Sequence, residues 1–260
     1  MNVFSNRIKE MNDIALKILC IKGIFLSGSL ANNTFDSYSD IDLRYVIETN
    51  DLKEVIEIYK NQLHDKILFF EPCSFENAFI AHFRDFFKAD VFFYTKDMLQ
   101  PNPYLSEIKI IDDSDGFLKK LKHDSESLEF KMQSETFNFY VDKYIATAHE
   151  CYRRVKRGEY LYANELLFHM KSIIMLFEDL IHDKPQLGFY KAERRLSKDL
   201  INFMYNNISA ESDSVDLIMS SNKVLLNQLN ALTTQGKNKR DINRDSYLLI
   251  NWFIDFVKPL

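Results

Sequence analysis

Two aspartates one residue apart, Asp40 and Asp42, sit in Ser39-Asp40-Ile41-Asp42-Leu43 and lead into Arg44-Tyr45-Val46-Ile47, a run that reads as a strand. Side chains two positions apart on a strand leave the same face, so both carboxylates point one way. Like charges that close repel one another unless a cation lies between them. Hard oxygen ligands of this kind suit Mg²⁺, which keeps several waters and also takes substrate phosphates. Upstream, Ile24-Phe25-Leu26 feeds a turn of small residues, Ser27-Gly28-Ser29. Such a turn can offer backbone N–H groups and a hydroxyl to an anionic phosphate. One short segment thus supplies a phosphate cradle and a metal clamp, which is the chemistry of nucleotidyl transfer.

A third carboxylate stands out in Ala89-Asp90-Val91-Phe92-Phe93-Tyr94. An Asp amid aliphatic and aromatic strand residues is costly unless it is paired or binds a metal. The plainer alternative is an edge-strand Asp facing water. Asp85 is a further candidate, in a setting that reads as a turn. Asp112-Asp113-Ser114-Asp115-Gly116 resembles part of a calcium loop but lacks the closing bidentate Glu, and reads as a polar turn.

The elements that must position these groups follow from periodicity. Ile8, Met11, Ile14, Ala15 and Ile18 recur at helical spacing and predict an opening helix within residues 3–20, packed on a sheet. Strands are expected at Ile21–Leu26, Ile41–Glu48, Ile67–Phe70, Phe79–Phe83, Ala89–Tyr94 and Ile108–Ile111. Between the second and third, Thr49-Asn50-Asp51 caps a helix to about Leu63 with Val55, Ile56 and Tyr59 inward. Phe117 starts another helix, and the polar stretch 122–133 places a domain boundary near residue 125. Beyond it only helices are expected: Ser134 to about Arg157, Glu159 to about His182 after a break at Gly158, then Lys191–Asn206, Ser214–Leu232 and Arg244–Phe256. The fold class is therefore an α/β domain, 1–124, with a mixed sheet and flanking helices, followed by an all-α helical bundle, 125–260.

Bulk composition narrows the function. Twenty-two Phe and 13 Tyr against 6 Gly and 5 Pro favour aromatic cores and many helices over a turn-rich β fold. A net charge of −5 argues against a broad nucleic-acid footprint, so no nucleic-acid partner is expected. Cys20, Cys73 and Cys151 form no C-x-x-C pair, hence no disulfide framework or zinc site. The first residues lack a signal-peptide h-region and no apolar run reaches spanning length, so a cytoplasmic protein without a membrane partner is expected.

Gly28-Ser29 followed by Asp40-x-Asp42 resembles the signature of the DNA polymerase β-like nucleotidyltransferase superfamily, with Asn33 where the commonest form has glycine. Asparagine tolerates positive φ better than other non-glycine residues, so that turn can survive. Val155-Lys156-Arg157-Gly158-Glu159-Tyr160 and Ala163-Asn164-Glu165-Leu166 resemble a helix-turn-helix of the antibiotic-inactivating members. Among these the chain looks most like lincosamide nucleotidyltransferases, then aminoglycoside adenylyltransferases. The same pattern also suits a plain helix hairpin.

The resemblance implies transfer of a nucleoside monophosphate from an NTP, ATP first, to a hydroxyl of a small antibiotic-type acceptor, with release of pyrophosphate. It implies two Mg²⁺ ions on Asp40, Asp42 and Asp90, with Gly28 and Ser29 on the β/γ-phosphates and Ser39 beside them. The general base would be Asp90 or a carboxylate on the first helix of the helical domain. There Asp142, next to an apolar face, is favoured over Glu135 and Glu150, although a solvated surface acid reads the same way. His149 and His169 are lone helix histidines without a matched partner. Tyr140, Tyr144, Tyr152, Tyr160 and Tyr162 could wall an acceptor pocket between the domains, or simply fill helix cores. Lys156-Arg157 and Arg194-Arg195 could meet triphosphate or be surface charge. Relatives of this layout imply a homodimer. Two other readings share the residues: nucleotidylation of a protein or another metabolite, and a non-catalytic, antitoxin-type binding module.

Overall fold

The computed structural model describes residues 3–49, 51–207, 215–237, 248 and 250–254. Chain contacts divide it into two compact units, Met1–Glu129 and Phe130–Leu260. The division falls a few residues past 125 because the helix begun at Phe117 runs on to Glu126.

The first unit is built on a sheet of six strands: β1 (Ile21–Leu26), β2 (Ile41–Ile47), β3 (Ile67–Glu71), β4 (Ala78–Phe83), β5 (Lys88–Thr95) and β6 (Lys109–Asp113). Their spatial order is β3-β4-β5-β2-β1-β6. Only β2 and β5 run parallel; every other neighbouring pair is antiparallel. Alternation explains the layering. Ile41, Leu43, Tyr45 and Ile47 of β2 and Ala89, Val91 and Phe93 of β5 join a core with α1 (Val3–Ala15) and α3 (Leu52–Leu63). Tyr45 and Tyr59 meet hydroxyl to hydroxyl at 2.7 Å, and both reach the Met11 carbonyl of α1, so two buried phenols are satisfied at once. On the opposite face a smaller core of Phe25, Val46, Leu99 and Ile108 lies under Leu118 and Leu121 of α4 (Phe117–Glu126).

Helix starts follow their caps. Asp51 accepts the Glu54 N–H at 3.0 Å to begin α3; its expected neighbour Asn50 lies outside the described residues. Asp113, from the acidic cluster, accepts the Leu118 and Lys119 N–H groups at 3.0 Å each and so opens α4. The opening helix is shorter than residues 3–20 predict. After Ala15 the chain tightens, with Ile18 N–H on the Ala15 carbonyl and Ile21 N–H on that of Ile18, to turn into β1.

The second unit is helical: α5 (Ser134–Lys156), α6 (Tyr160–Ile181), α7 (Ala192–Arg195), α8 (Lys198–Asn207) and α9 (Val215–Lys237). Gly158, at φ +75°, makes the turn between α5 and α6. The single helix expected over Lys191–Asn206 is instead two. Ser197 interrupts it, its hydroxyl accepting the Leu200 N–H at 3.2 Å as an N-cap, while Glu178 of α6 holds the Ser197 backbone N–H and hydroxyl. Most of the helix expected at Arg244–Phe256, and Ser214 before α9, lie outside the described residues; 250–254 are helical. Among the described residues no helix is long and apolar enough to cross a membrane. All three cysteines are free thiols.

Candidate active site

The small-residue turn forms as its composition suggests. Ser27, the first residue after β1, has its N–H on the Asp42 carbonyl at 3.0 Å, tying the turn to β2. Gly28 then takes φ +61° and opens a single helical turn, α2 (Gly28–Ala31). A Cβ at Gly28 would lie 2.2 Å from Asp42 Oδ2, so the close approach of turn and carboxylate requires glycine. Asn33 adopts φ +60°, the left-handed conformation that its amide tolerates. Around it the Thr34 N–H reaches the Ser29 carbonyl at 3.0 Å, and Asn32 Oδ1 accepts from the Thr34 hydroxyl at 2.6 Å. Ser29 is buried. Ser39 closes the turn before the aspartates, its hydroxyl accepting the Asp36 N–H at 2.9 Å.

Sheet register brings the carboxylates together. In the parallel pair β2/β5, Asp42 stands directly beside Asp90. Adjacent strands lie about 4.8 Å apart, so two same-face carboxylates there are neighbours. Asp40 precedes the strand, and a shared lysine links it to Asp90. Lys88 Nζ lies 2.8 and 3.0 Å from the two Asp90 oxygens and 3.5 Å from Asp40 Oδ2. Arg44 meets Asp42 Oδ1 at 3.2 Å, donates to the Asp90 carbonyl at 2.8 Å, and lies 4.4 Å over the Phe92 ring.

Electrostatics follow from this crowding. Burial pushes the Asp42 carboxyl up, Arg44 pulls it down, and Asp40 and Asp90 raise it further; the net direction is upward. For Lys88, partial burial pulls the ammonium down, but the contacts with Asp90 and Asp40 outweigh it and leave its pKa raised.

The donor set has the chemistry for a divalent cation: hard oxygens, mutual repulsion, and a buried Asp90 Oδ1 with no hydrogen-bond partner. The Lys88 ammonium 2.8 Å from that oxygen donates to Oδ2 instead. Among the described residues, however, no three acidic, histidine or cysteine side chains are arranged to hold a metal ion. Lys88 and Arg44 occupy the carboxylates instead. The sequence reading passed over both cations, yet the period-2 rule that pairs Asp40 with Asp42 equally pairs Asp42 with Arg44 and Lys88 with Asp90.

The remaining candidates lie elsewhere. Asp85 pairs with Arg7 at 2.6 Å in the turn after β4. Asp142 is exposed on α5 of the second unit, as is Glu135, whereas Glu150 is tied to Arg153 and Arg154. His169 lies 3.6 Å from Glu165 and His149 edge-on to Phe253. The Arg157–Tyr160 pattern is taken up by its own hairpin. Glu159 binds Arg154 at 2.6 Å and Arg157 at 3.0 Å, and Ala163 and Leu166 are buried. Tyr144 is wholly buried in the helical core, and Tyr140, Tyr152 and Tyr160 pack partly buried against that core. Arg195 is bound to the buried Asp179 and to the carbonyls of Gly188 and Tyr190, so it is neither surface charge nor open to a phosphate.

Residues 7–113 match the family model of the nucleotidyltransferase domain. No curated protein matches the chain. Similar solved structures include an aminoglycoside 6-adenyltransferase from Bacillus subtilis, 14% identical, covering 95% of this chain and 97% of that one at a TM-score of 0.41. A nucleotidyltransferase-like protein from Exiguobacterium sibiricum is 12% identical, with 91% and 84% covered and a TM-score of 0.44. The CdnE cyclic dinucleotide synthase from Elizabethkingia meningoseptica is 13% identical, with 97% and 91% covered and a TM-score of 0.31.

Proposed function

Because residues 7–113 match the nucleotidyltransferase-domain family model, we propose that the chain transfers the nucleoside monophosphate of Mg·ATP to a hydroxyl of a small antibiotic-type acceptor, a lincosamide or aminoglycoside. Pyrophosphate leaves as the new phosphodiester bond to the acceptor oxygen forms. The observation that carries the proposal is the β2/β5 register, which sets Asp42 beside Asp90 while Gly28 lies back to back with the Asp42 carboxylate.

In this reading Asp40, Asp42 and Asp90 hold the divalent ions. Such ions, when bound, neutralise the triphosphate and steady the attacking and leaving oxygens of an in-line displacement. Gly28 and Ser29 present backbone N–H groups to the β/γ-phosphates, and Ser39 fixes the turn that aims Asp40. Asp90, which stands beside Asp42 in the β2/β5 register, is one candidate to take the acceptor's proton as well as to hold an ion. Asp142, exposed on α5, is the other. Most of the rate then comes from positioning and charge neutralisation. The antibiotic acceptor rests on the sequence likeness of the α5–α6 hairpin, and a homodimer on the layout of the relatives it resembles.

Pyrophosphate release from Mg·ATP over a panel of lincosamides and aminoglycosides tests the proposal, with Asp42→Ala as the blank. Release with one drug class is expected, and its rate should fall about a thousandfold in the variant, the scale of several kcal/mol of lost charge stabilisation. Tight ATP binding without release would move the acceptor to a protein or another metabolite. No ATP binding would leave a non-catalytic module.

A further inference from the structure

Two cations attend the three carboxylates, and they are held in different ways. Arg44 is anchored independently of the acids: its guanidinium donates to the Leu43 and Asp90 carbonyls at 3.1 and 2.8 Å and lies over Phe92. Lys88 stands at the start of β5, its side chain about one-third exposed, and its ammonium is held by the carboxylates of Asp90 and Asp40. Those are the oxygens a divalent ion needs, and two cations cannot take the same lone pairs at contact distance. One must leave. Arg44 would give up two carbonyls and a ring to do so, whereas Lys88 gives up only the acids and has a flexible stem with a hydrated head.

We propose that Lys88 is a displaceable counter-ion. Its ammonium keeps Asp40 and Asp90 together while the site is without metal and must swing away before a divalent ion binds. Lys88 is thus a positioning residue that weakens affinity for the free metal ion, and it becomes available to an anionic group of the incoming nucleotide once displaced. The inference rests on the metal-binding reading of the three aspartates.

Mn²⁺ binding to the full chain without nucleotide, followed by calorimetry, separates the two claims. Lys88→Met is expected to bind Mn²⁺ about tenfold more tightly than the natural protein, the scale of one partly exposed charge contact. In EDTA the same variant should melt at a lower temperature, because the acids lose their counter-ion. Lys88→Arg keeps the charge and should bind Mn²⁺ as weakly as the natural protein. A residue that merely supported the strand would weaken metal binding when lost, not strengthen it. Asp42→Asn should abolish binding in either background. Equal or weaker binding by Lys88→Met, with Asp42→Asn still abolishing it, overturns the role of Lys88 and leaves the site reading intact. Binding that survives Asp42→Asn overturns both. If Lys88→Met does not fold, Lys88→Gln gives the same comparison with the same two outcomes.

Discussion

Each unit of this protein contains a cluster of acids, and the two clusters are treated in opposite ways. In the helical unit, Asp179 and Glu178 are adjacent on α6 and almost wholly buried. Every exposed alternative has been replaced by a partner. Arg195 binds Asp179, the Leu187 N–H reaches its second oxygen at 3.2 Å, and Ser197 satisfies Glu178 with both its N–H and its hydroxyl. In the sheet unit, Asp40, Asp42 and Asp90 remain partly exposed, lie side by side, and among the described residues are met only by the side chains of Lys88 and Arg44, one of them itself about one-third exposed. A satisfied acid cluster fixes a loop. Three acids crowded at a sheet end, reached by solvent and held by a partly exposed lysine, are an arrangement that stability alone does not reward.

Removing a member of each cluster makes the difference measurable, and the largest loss of stability belongs to the helical unit. Asp179→Ala strands the Arg195 guanidinium and frees the 183–197 segment, at a cost of about 3–5 kcal/mol. Melting of the full chain should then show the helical transition lowered by about 10 °C or more. Asp42→Ala, by contrast, should melt close to the natural protein, since Asp42 is partly exposed and Arg44 keeps its bonds to the Leu43 and Asp90 carbonyls without it. Equal melting of the two variants would erase the distinction between the clusters.

Gly28→Ala comes next, because it strikes the point where turn and carboxylate meet. The added methyl would lie 2.2 Å from Asp42 Oδ2, and φ +61° is left-handed. The conformation alone costs an L-residue about 1–2 kcal/mol. Displacing Asp42 should also remove turnover nearly as fully as Asp42→Ala does. Normal turnover in Gly28→Ala would mean that the turn and Asp42 do not act together.

How much of this was legible beforehand differs between the same two regions. The sheet unit was nearly all readable, because alternation at Ile41, Leu43, Tyr45 and Ile47 states which face is core, and Asp51 announces its helix. Periodicity says which face a residue takes but not which strand becomes its neighbour. The parallel β2/β5 register that sets Asp42 beside Asp90 is a property of the whole sheet. Lys88 and Arg44 are legible from the same two-residue spacing that pairs Asp40 with Asp42, but spacing does not say which carboxylate each cation meets. In the helical unit the long helices were plain from their stripes, but the break at Ser197 was not. Its cause is Glu178, 19 residues earlier, and no local pattern at Leu196-Ser197 reports a partner so far away.

Asn33 is the finest probe of the contrast, because it lies in the turn and yet is exposed. Its φ of +60° is the conformation glycine adopts freely and asparagine tolerates. Asn33→Gly relieves that backbone but frees the unfolded chain, and the two effects nearly cancel. Stability should change by less than about 0.5 kcal/mol. Because the side chain faces solvent, turnover should also stay within about twofold, as for an exposed position outside the site. Asn33→Val keeps the unfolded chain ordinary and forces a β-branched residue into the left-handed region, which costs about 1–2 kcal/mol and disturbs the Thr34-to-Ser29 hydrogen bond behind it. Melting curves and pyrophosphate release for the pair would show whether the turn asks only for a backbone conformation or for the amide itself. A tenfold loss of turnover in Asn33→Gly, with melting unchanged, would make the Asn33 side chain part of the phosphate cradle.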